Sequence, residues 1–198
     1  HVVLDTYQSA GAMPLDYPEW GIIFGVGGFV KWLCGGPGAG YLYVRPDLRD
    51  ALEPRLTGWQ AHARPFAFEP GAIDYAESSM LRYAHGTPAV PALVSAAASY
   101  QVIRDIGIDV IRARSLFLTQ YLIEKAQERG LTVNSETRPE RRGGSVVIKV
   151  SDEAGMEERL ATQRIIVDSR PGAGVRCGPH VFNTIEELDT LLDALAPT

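Results

Sequence analysis

Gly21-Ile22-Ile23-Phe24-Gly25-Val26-Gly27-Gly28-Phe29-Val30-Lys31-Trp32-Leu33-Cys34-Gly35-Gly36-Pro37-Gly38 is the stretch on which the reading of this chain turns. A short apolar run closed by a Gly-Gly-Pro-Gly turn predicts a buried strand that delivers one lysine at its end. Only three lysines occur, Lys31, Lys125 and Lys149, and Lys125 sits in an ordinary charged helix end. Apolar residues on both sides of Lys31 predict a largely desolvated ammonium, and desolvation lowers a lysine pKa toward the range where the amine is a nucleophile. A snorkelling lysine at a strand end is the alternative reading of the same residues.

The glycines around Lys31 do not spell a nucleotide site. In Gly35-Gly36-Pro37-Gly38-Ala39-Gly40 the lysine precedes the glycines and no Gly-Lys-Ser/Thr follows, unlike a phosphate-binding P-loop. Gly25-Val26-Gly27-Gly28-Phe29-Val30 places Val30 where the dinucleotide pattern needs its third glycine.

Upstream, Val2-Val3-Leu4-Asp5 reads as a strand ending in a carboxylate, with Gln8 three residues on in a turn. Both polar groups are candidates for one edge of a ligand. A buried carboxylate requires a cation or strong donors, which a protonated ring nitrogen would supply. An Asp that caps its own turn is the competing reading. The chain opens without Met, on a strand, as though mid-domain, and the expectation is that something precedes or accompanies it.

Further along, short apolar runs at 2–4, 22–30 and 40–44 predict strands separated by turns at Pro18, 35–38 and Pro46. From 91 to 129 the texture is helical, broken at Gly107, with Asp109 expected to cap the second helix and Gly130 to end it. After Gly130 a small α/β unit is expected. Its strands fall near 131–134, 145–150, 164–168 and 174–177, and its helices near 155–162 and 184–195. Thr184-Ile185-Glu186-Glu187 forms a capping box. The charged loop 138–144 predicts either a solvated hairpin turn or a functional element.

Composition narrows the function classes. The 198 residues are 45% hydrophobic and 22% charged, enough apolar surface for a real core. A net charge of -5 without a basic stripe argues against nucleic acid, so a small molecule or a protein is the expected partner. No apolar run reaches the roughly 20 residues of a membrane helix, and no signal-peptide pattern opens the chain. Two cysteines, Cys34 and Cys177, make neither a disulfide framework nor a metal site. These features predict a cytoplasmic protein.

Several segments occur in a recognisable order: Lys31 to Gly38, Gly58-Trp59-Gln60-Ala61-His62, Gly86-Thr87-Pro88, Arg142-Gly143-Gly144-Ser145-Val146, and Asp168-Ser169-Arg170-Pro171 through Arg176, Pro179-His180 and Asn183. Together they resemble kynureninases and the kynureninase-like class V aminotransferases, from residue 1 to about 190. The resemblance implies a pyridoxal 5'-phosphate (PLP) enzyme of fold type I. In that α/β architecture, residues 1–95 form the C-terminal part of a large, mostly parallel-sheet domain, 96–129 link, and 130–198 form a small domain.

It also implies roles. Asp5 would pair with the pyridine nitrogen, Gln8 with the phenolic oxygen, and Lys31 would carry the cofactor. Trp59 and Thr87 would reach the cofactor phosphate across a subunit boundary, and Arg176 would hold the substrate carboxylate. His180 matches in position but reads equally as a packed loop histidine. Gln8, Val30 and Thr87 depart from the better-known kynureninases toward the broader class. The implied reaction is hydrolytic Cβ–Cγ cleavage of kynurenine to anthranilate and alanine, with aminotransfer, epimerisation or elimination as alternatives. The implied partners are an amino-acid substrate, an N-terminal chain completing the large domain, and a second assembled unit in a dimer.

Overall fold

The computed structural model describes residues 2–196. The chain divides into two compact units, one made of the residues up to Tyr7 with Asp16–Tyr100, the other of Gln8–Leu15 with the residues from Gln101 onward.

In the first unit, strand β1 (Val3–Asp5) pairs parallel with β2 (Phe24–Gly28), and β2 pairs antiparallel with β3 (Gly40–Val44). The glycines of β2 are explained by aromatic rings lying flat on them. A Cβ at Gly27 would stand 2.4 Å from Tyr41 Cζ, and one at Gly25 would stand 2.9 Å from Tyr17 Cζ. Tyr17 also stacks on Tyr43, with ring centroids 4.6 Å apart. Beneath these rings Thr6 is fully buried and donates its hydroxyl proton to Val26 O at 2.8 Å. With that proton committed, the phenols of Tyr41 at 2.7 Å and Tyr17 at 2.9 Å donate to the Thr6 lone pairs. Burial pushes the Tyr41 phenol up to about 12.

Helix α1 (Val90–Ile106) ends at Gly107, whose φ of 89° breaks the run, and α2 (Ile108–Glu128) follows directly. The expected Asp109 cap is not formed: Gly107 is the N-cap residue, with no side-chain cap, and Asp109 lies in the first turn. There its charge complements the helix dipole. Gly130 does end α2, at φ 73°, with Leu131 N–H donating to Ala126 O at 2.9 Å and Gly130 N–H to Gln127 O at 3.0 Å.

In the second unit, β4 (Val146–Ile148), β5 (Asp168–Arg170) and β6 (Gly174–Cys177) form an antiparallel sheet in the order β4-β6-β5. Helix α3 (Glu153–Thr162) packs with α2 against it, and α4 (Ile185–Leu195) packs on α2 and α3. The core is built from Leu118, Leu122, Ile148, Leu160, Val175 and Leu192, among others, so α2 is a core element of this unit. The Thr184–Glu187 capping box is present.

Two strand expectations are corrected. Around 131–134 only a single bridge forms, Val133 with Ile148. The strand expected at 164–168 begins at Asp168, because Arg164 adopts a left-handed φ of 63° that closes α3. Ile165 N–H then donates back to Leu160 O at 3.0 Å. Within the loop 138–144, Pro139–Arg141 form an exposed 3-10 turn, while Arg142 turns inward and is only 3% exposed. Among the described residues no helix is long and apolar enough to cross a membrane, and no His/Cys/Asp/Glu cluster is set to hold a metal.

Candidate cofactor site

The register Asp5↔Val26 sets Asp5 on the same face as Val26 and Gly28, opposite to the face of Gly25 and Gly27. Asp5 thus ends the parallel pair on the side from which the chain runs toward Lys31. Its Oδ1 accepts the Tyr7 N–H at 2.9 Å, so the carboxylate does cap its own turn, and its other oxygen remains available to a ligand.

Tyr7 is the residue that sequence reasoning missed. Its ring lies over Gly28, where a Cβ would stand 2.3 Å from Tyr7 Oη, and Lys31 Nζ sits 5.4 Å from the ring centroid. Asp5, Tyr7 and Lys31 therefore form one cluster at the end of β1 and β2, with an aromatic face beside the amine. A tyrosine two residues from the acid carries no local sequence signal for this. Only the register with a glycine strand creates it.

Two expectations about this cluster are corrected. Asp5 is exposed, because β1 is an edge of the described sheet. Lys31 is exposed too, because it stands three residues past β2 in a turn, while Trp32 and Leu33, at 8% and 6% exposure, take up the burial. Its neighbour Cys34 has a left-handed φ of 57°, and desolvation pushes its thiol up from the usual value.

Gln8 is exposed and falls with the second unit, whereas Asp5 falls with the first. The Trp59 segment meets residues 84–86, just before Thr87, within the first unit. Gly58 N–H donates to Ala84 O at 3.0 Å and Gln60 N–H to His85 O at 3.3 Å, and Trp59 Nε1 lies 3.9 Å from where a Cβ at Gly86 would be. Trp59 is 41% exposed and its ring meets Phe66 edge-on at 5.4 Å. Arg176 belongs to the second unit, where Asp168 grips its guanidinium through Nε at 2.8 Å and Nη2 at 2.5 Å. His180 is buried and stacks on Phe182 at 4.7 Å, which matches a packed loop histidine.

A strand-end carboxylate and an accessible primary amine, both beside Tyr7, suit a cofactor with an aldehyde and a basic ring nitrogen: the acid holds the nitrogen's proton and the amine condenses with the aldehyde. The family model described as Aminotransferase class-V matches residues 1–191, and the chain belongs to that family. Pyridoxal 5'-phosphate is its cofactor. The chain is 33% identical to an uncharacterized aminotransferase, YcbU, of Bacillus subtilis over 98% of this chain and 50% of that protein. It is 29% identical to a kynureninase of Bacillus thuringiensis over 95% of this chain and 45% of that one. A cysteine desulfurase structure from Thermococcus onnurineus superposes with a TM-score of 0.83 at 23% identity, covering 98% of this chain and 51% of that chain. That likeness establishes fold type I. The chain spans about half the length of the curated relatives it matches.

Proposed function

We propose that this chain contributes the lysine-bearing part of a PLP enzyme that cleaves kynurenine hydrolytically between Cβ and Cγ to give anthranilate and alanine. The observation that carries the reading is that Tyr7 has both groups beside it at the end of a parallel strand pair, Asp5 on its backbone N–H and Lys31 near its ring. The bound cofactor would act as an electron sink for the substrate carbon. Lys31 carries it and afterwards moves the proton at the substrate Cα. Asp5 keeps the ring nitrogen protonated, Gln8 bonds the phenolic oxygen, and Arg176 holds the substrate carboxylate with its planar fork.

Trp59 and Thr87 serve the phosphate of a second assembled unit in this proposal. Support comes from exposed apolar side chains of the same stretch of chain, where Leu56, Phe66, Phe68 and Met80 are 87%, 76%, 79% and 60% exposed and Phe66 meets the Trp59 ring. Patches of that kind mark association surfaces. The residues that relatives build from the other half of their length are supplied alongside this chain, as a separate chain or within one longer polypeptide.

Kynurenine given to the assembled holoenzyme should yield anthranilate fluorescence, and Lys31→Ala should abolish both that signal and the visible band of the lysine-bound cofactor. A holoenzyme that makes no anthranilate but transaminates, epimerises or eliminates from other amino acids selects the second reading, another class V activity. The 33% identity to an aminotransferase favours keeping that reading. Cysteine desulfuration is disfavoured because the Cys34 thiol is raised rather than lowered, the opposite of what a nucleophilic thiolate needs.

A further inference from the structure

We propose that Asp168 is a positioning residue for substrate recognition: it fixes the Arg176 guanidinium by one edge so that the other edge is presented to the α-carboxylate of an amino acid. The inference rests on the reading of Arg176 as the carboxylate-binding arginine. Asp168 and Arg176 are directly opposed residues of β5 and β6. The carboxylate takes the side edge of the guanidinium, Nε to Oδ1 at 2.8 Å and Nη2 to Oδ2 at 2.5 Å.

A guanidinium has five N–H donors in one plane and therefore two bidentate edges. Among the described residues Nη1 has no protein partner, so the end edge, Nη1 with the second proton of Nη2, remains to receive a carboxylate. Held on one side, the plane of the fork is set before the ligand arrives, and less rotamer freedom is lost on binding.

Arg170 completes the device. It lies two residues along β5, on the face of Asp168, and its Nη2 donates to Asp168 Oδ2 at 2.7 Å. Its cross-strand partner is Gly174, which presents no side chain, so Arg170 extends along the strand toward Asp168. Two cations share one carboxylate, and the trio keeps a net positive charge facing an incoming anion. Arg176 and Asp168 are 28% and 33% exposed, partly shielded yet reachable.

The test uses the holoenzyme titrated with L-alanine, which carries the carboxylate, and L-alaninamide, which does not, read by the shift of the visible cofactor band. Asp168→Asn is expected to weaken L-alanine binding about tenfold and to change L-alaninamide binding by less than about twofold. KM for the amino-acid substrate should rise with kcat nearly unchanged. Asp168→Glu, which keeps the charge but shifts the fork, should lose less than Asn. Should Asp168→Asn fail to fold, Asp168→Glu is the arm that decides: a loss confined to L-alanine supports the proposal. Equal weakening of both ligands by the variant that is measured, or no weakening of either, overturns it. Arg176→Ala tests the underlying reading separately, since an unchanged preference for L-alanine over L-alaninamide in that variant would remove Arg176 itself from recognition.

Discussion

Arg142 Nε donates to Thr119 Oγ1 at 3.0 Å in a position where the arginine is only 3% exposed. The rest of the guanidinium bonds to Gln120 Oε1 at 3.1 Å, to Leu116 O at 3.5 Å and to Thr137 O, so among the described residues no carboxylate bonds to it. Burial pushes its pKa down, with the nearby Arg112 charge adding to the effect. The fork thereby ties the 137–142 loop to helix α2 through neutral acceptors alone.

Removing it strands several buried acceptors at once, so Arg142→Ala should destabilise the folded protein by about 2–4 kcal/mol. Arg142→Lys should recover little, because an ammonium cannot span four acceptors in a plane. Urea unfolding of the variants checks both. An Arg142→Lys protein as stable as the parent would show that charge, not the fork, is what matters there.

Tyr7 and Gly28 make a second pair whose energies are coupled. Gly28→Ala puts a methyl group 2.3 Å from the Tyr7 hydroxyl oxygen and must displace the ring from Lys31. The expected cost is about 1–2 kcal/mol, with weaker cofactor retention. Tyr7→Ala in the Gly28→Ala background should remove most of that penalty. A double-mutant cycle by thermal unfolding and cofactor titration would show additive losses if the two positions do not in fact touch.

At Gly58 the obstacle is backbone rather than side chain. A Cβ there would stand 2.1 Å from His85 O, and the carbonyl cannot move without breaking its bond from Gln60 N–H. Gly58→Ala should cost more than about 2 kcal/mol and expose the Trp59 indole. A red-shifted tryptophan emission together with a lower Tm is the expected result.

The two thiols should behave differently. Cys177 is 2% exposed, and burial pushes its thiol from 9.0 up to about 12, so at pH 8 it should resist a disulfide reagent until the chain unfolds. Cys34 is exposed and should react, though more slowly than free cysteine because its own thiol is raised. Since the folded state holds the Cys177 proton more tightly than the unfolded state, its contribution to stability is complete below about 9. It fades as pH rises toward about 12. Cys177→Ala should therefore lose less stability than the parent between those limits in pH-dependent Tm measurements.

Features decided within a few residues were legible in the sequence. The Thr184 capping box, the Gly107 break and the Gly130 terminus each depend on one turn of chain. The existence of β1 to β3 followed from short apolar runs between turn residues, whereas their order came only from the structure. What escaped depended on distant partners. Arg164 closes α3 in a conformation that usually marks Gly or Asn, so nothing in its identity warned that β5 would start late. The burial of Arg142 was not legible in its charged loop because its acceptors come largely from α2. The exposure of Asp5 and Lys31 was misjudged because apolar neighbours in sequence were read as apolar neighbours in space. The resemblance pointed to Lys31 and Asp5 as candidates, but only the register revealed Tyr7 beside them.

The rings that lie on the glycines of β2 also constrain how such a chain can diverge. Positions 25 and 17, 27 and 41, and 28 and 7 each share one volume, occupied once by a phenol and left empty once by a missing Cβ. A side chain can enter the strand only after its partner ring has shrunk. Substitution at these sites should therefore proceed in compensated pairs, ring lost before glycine lost, and relatives with a bulkier β2 should carry a small residue at the matching ring position.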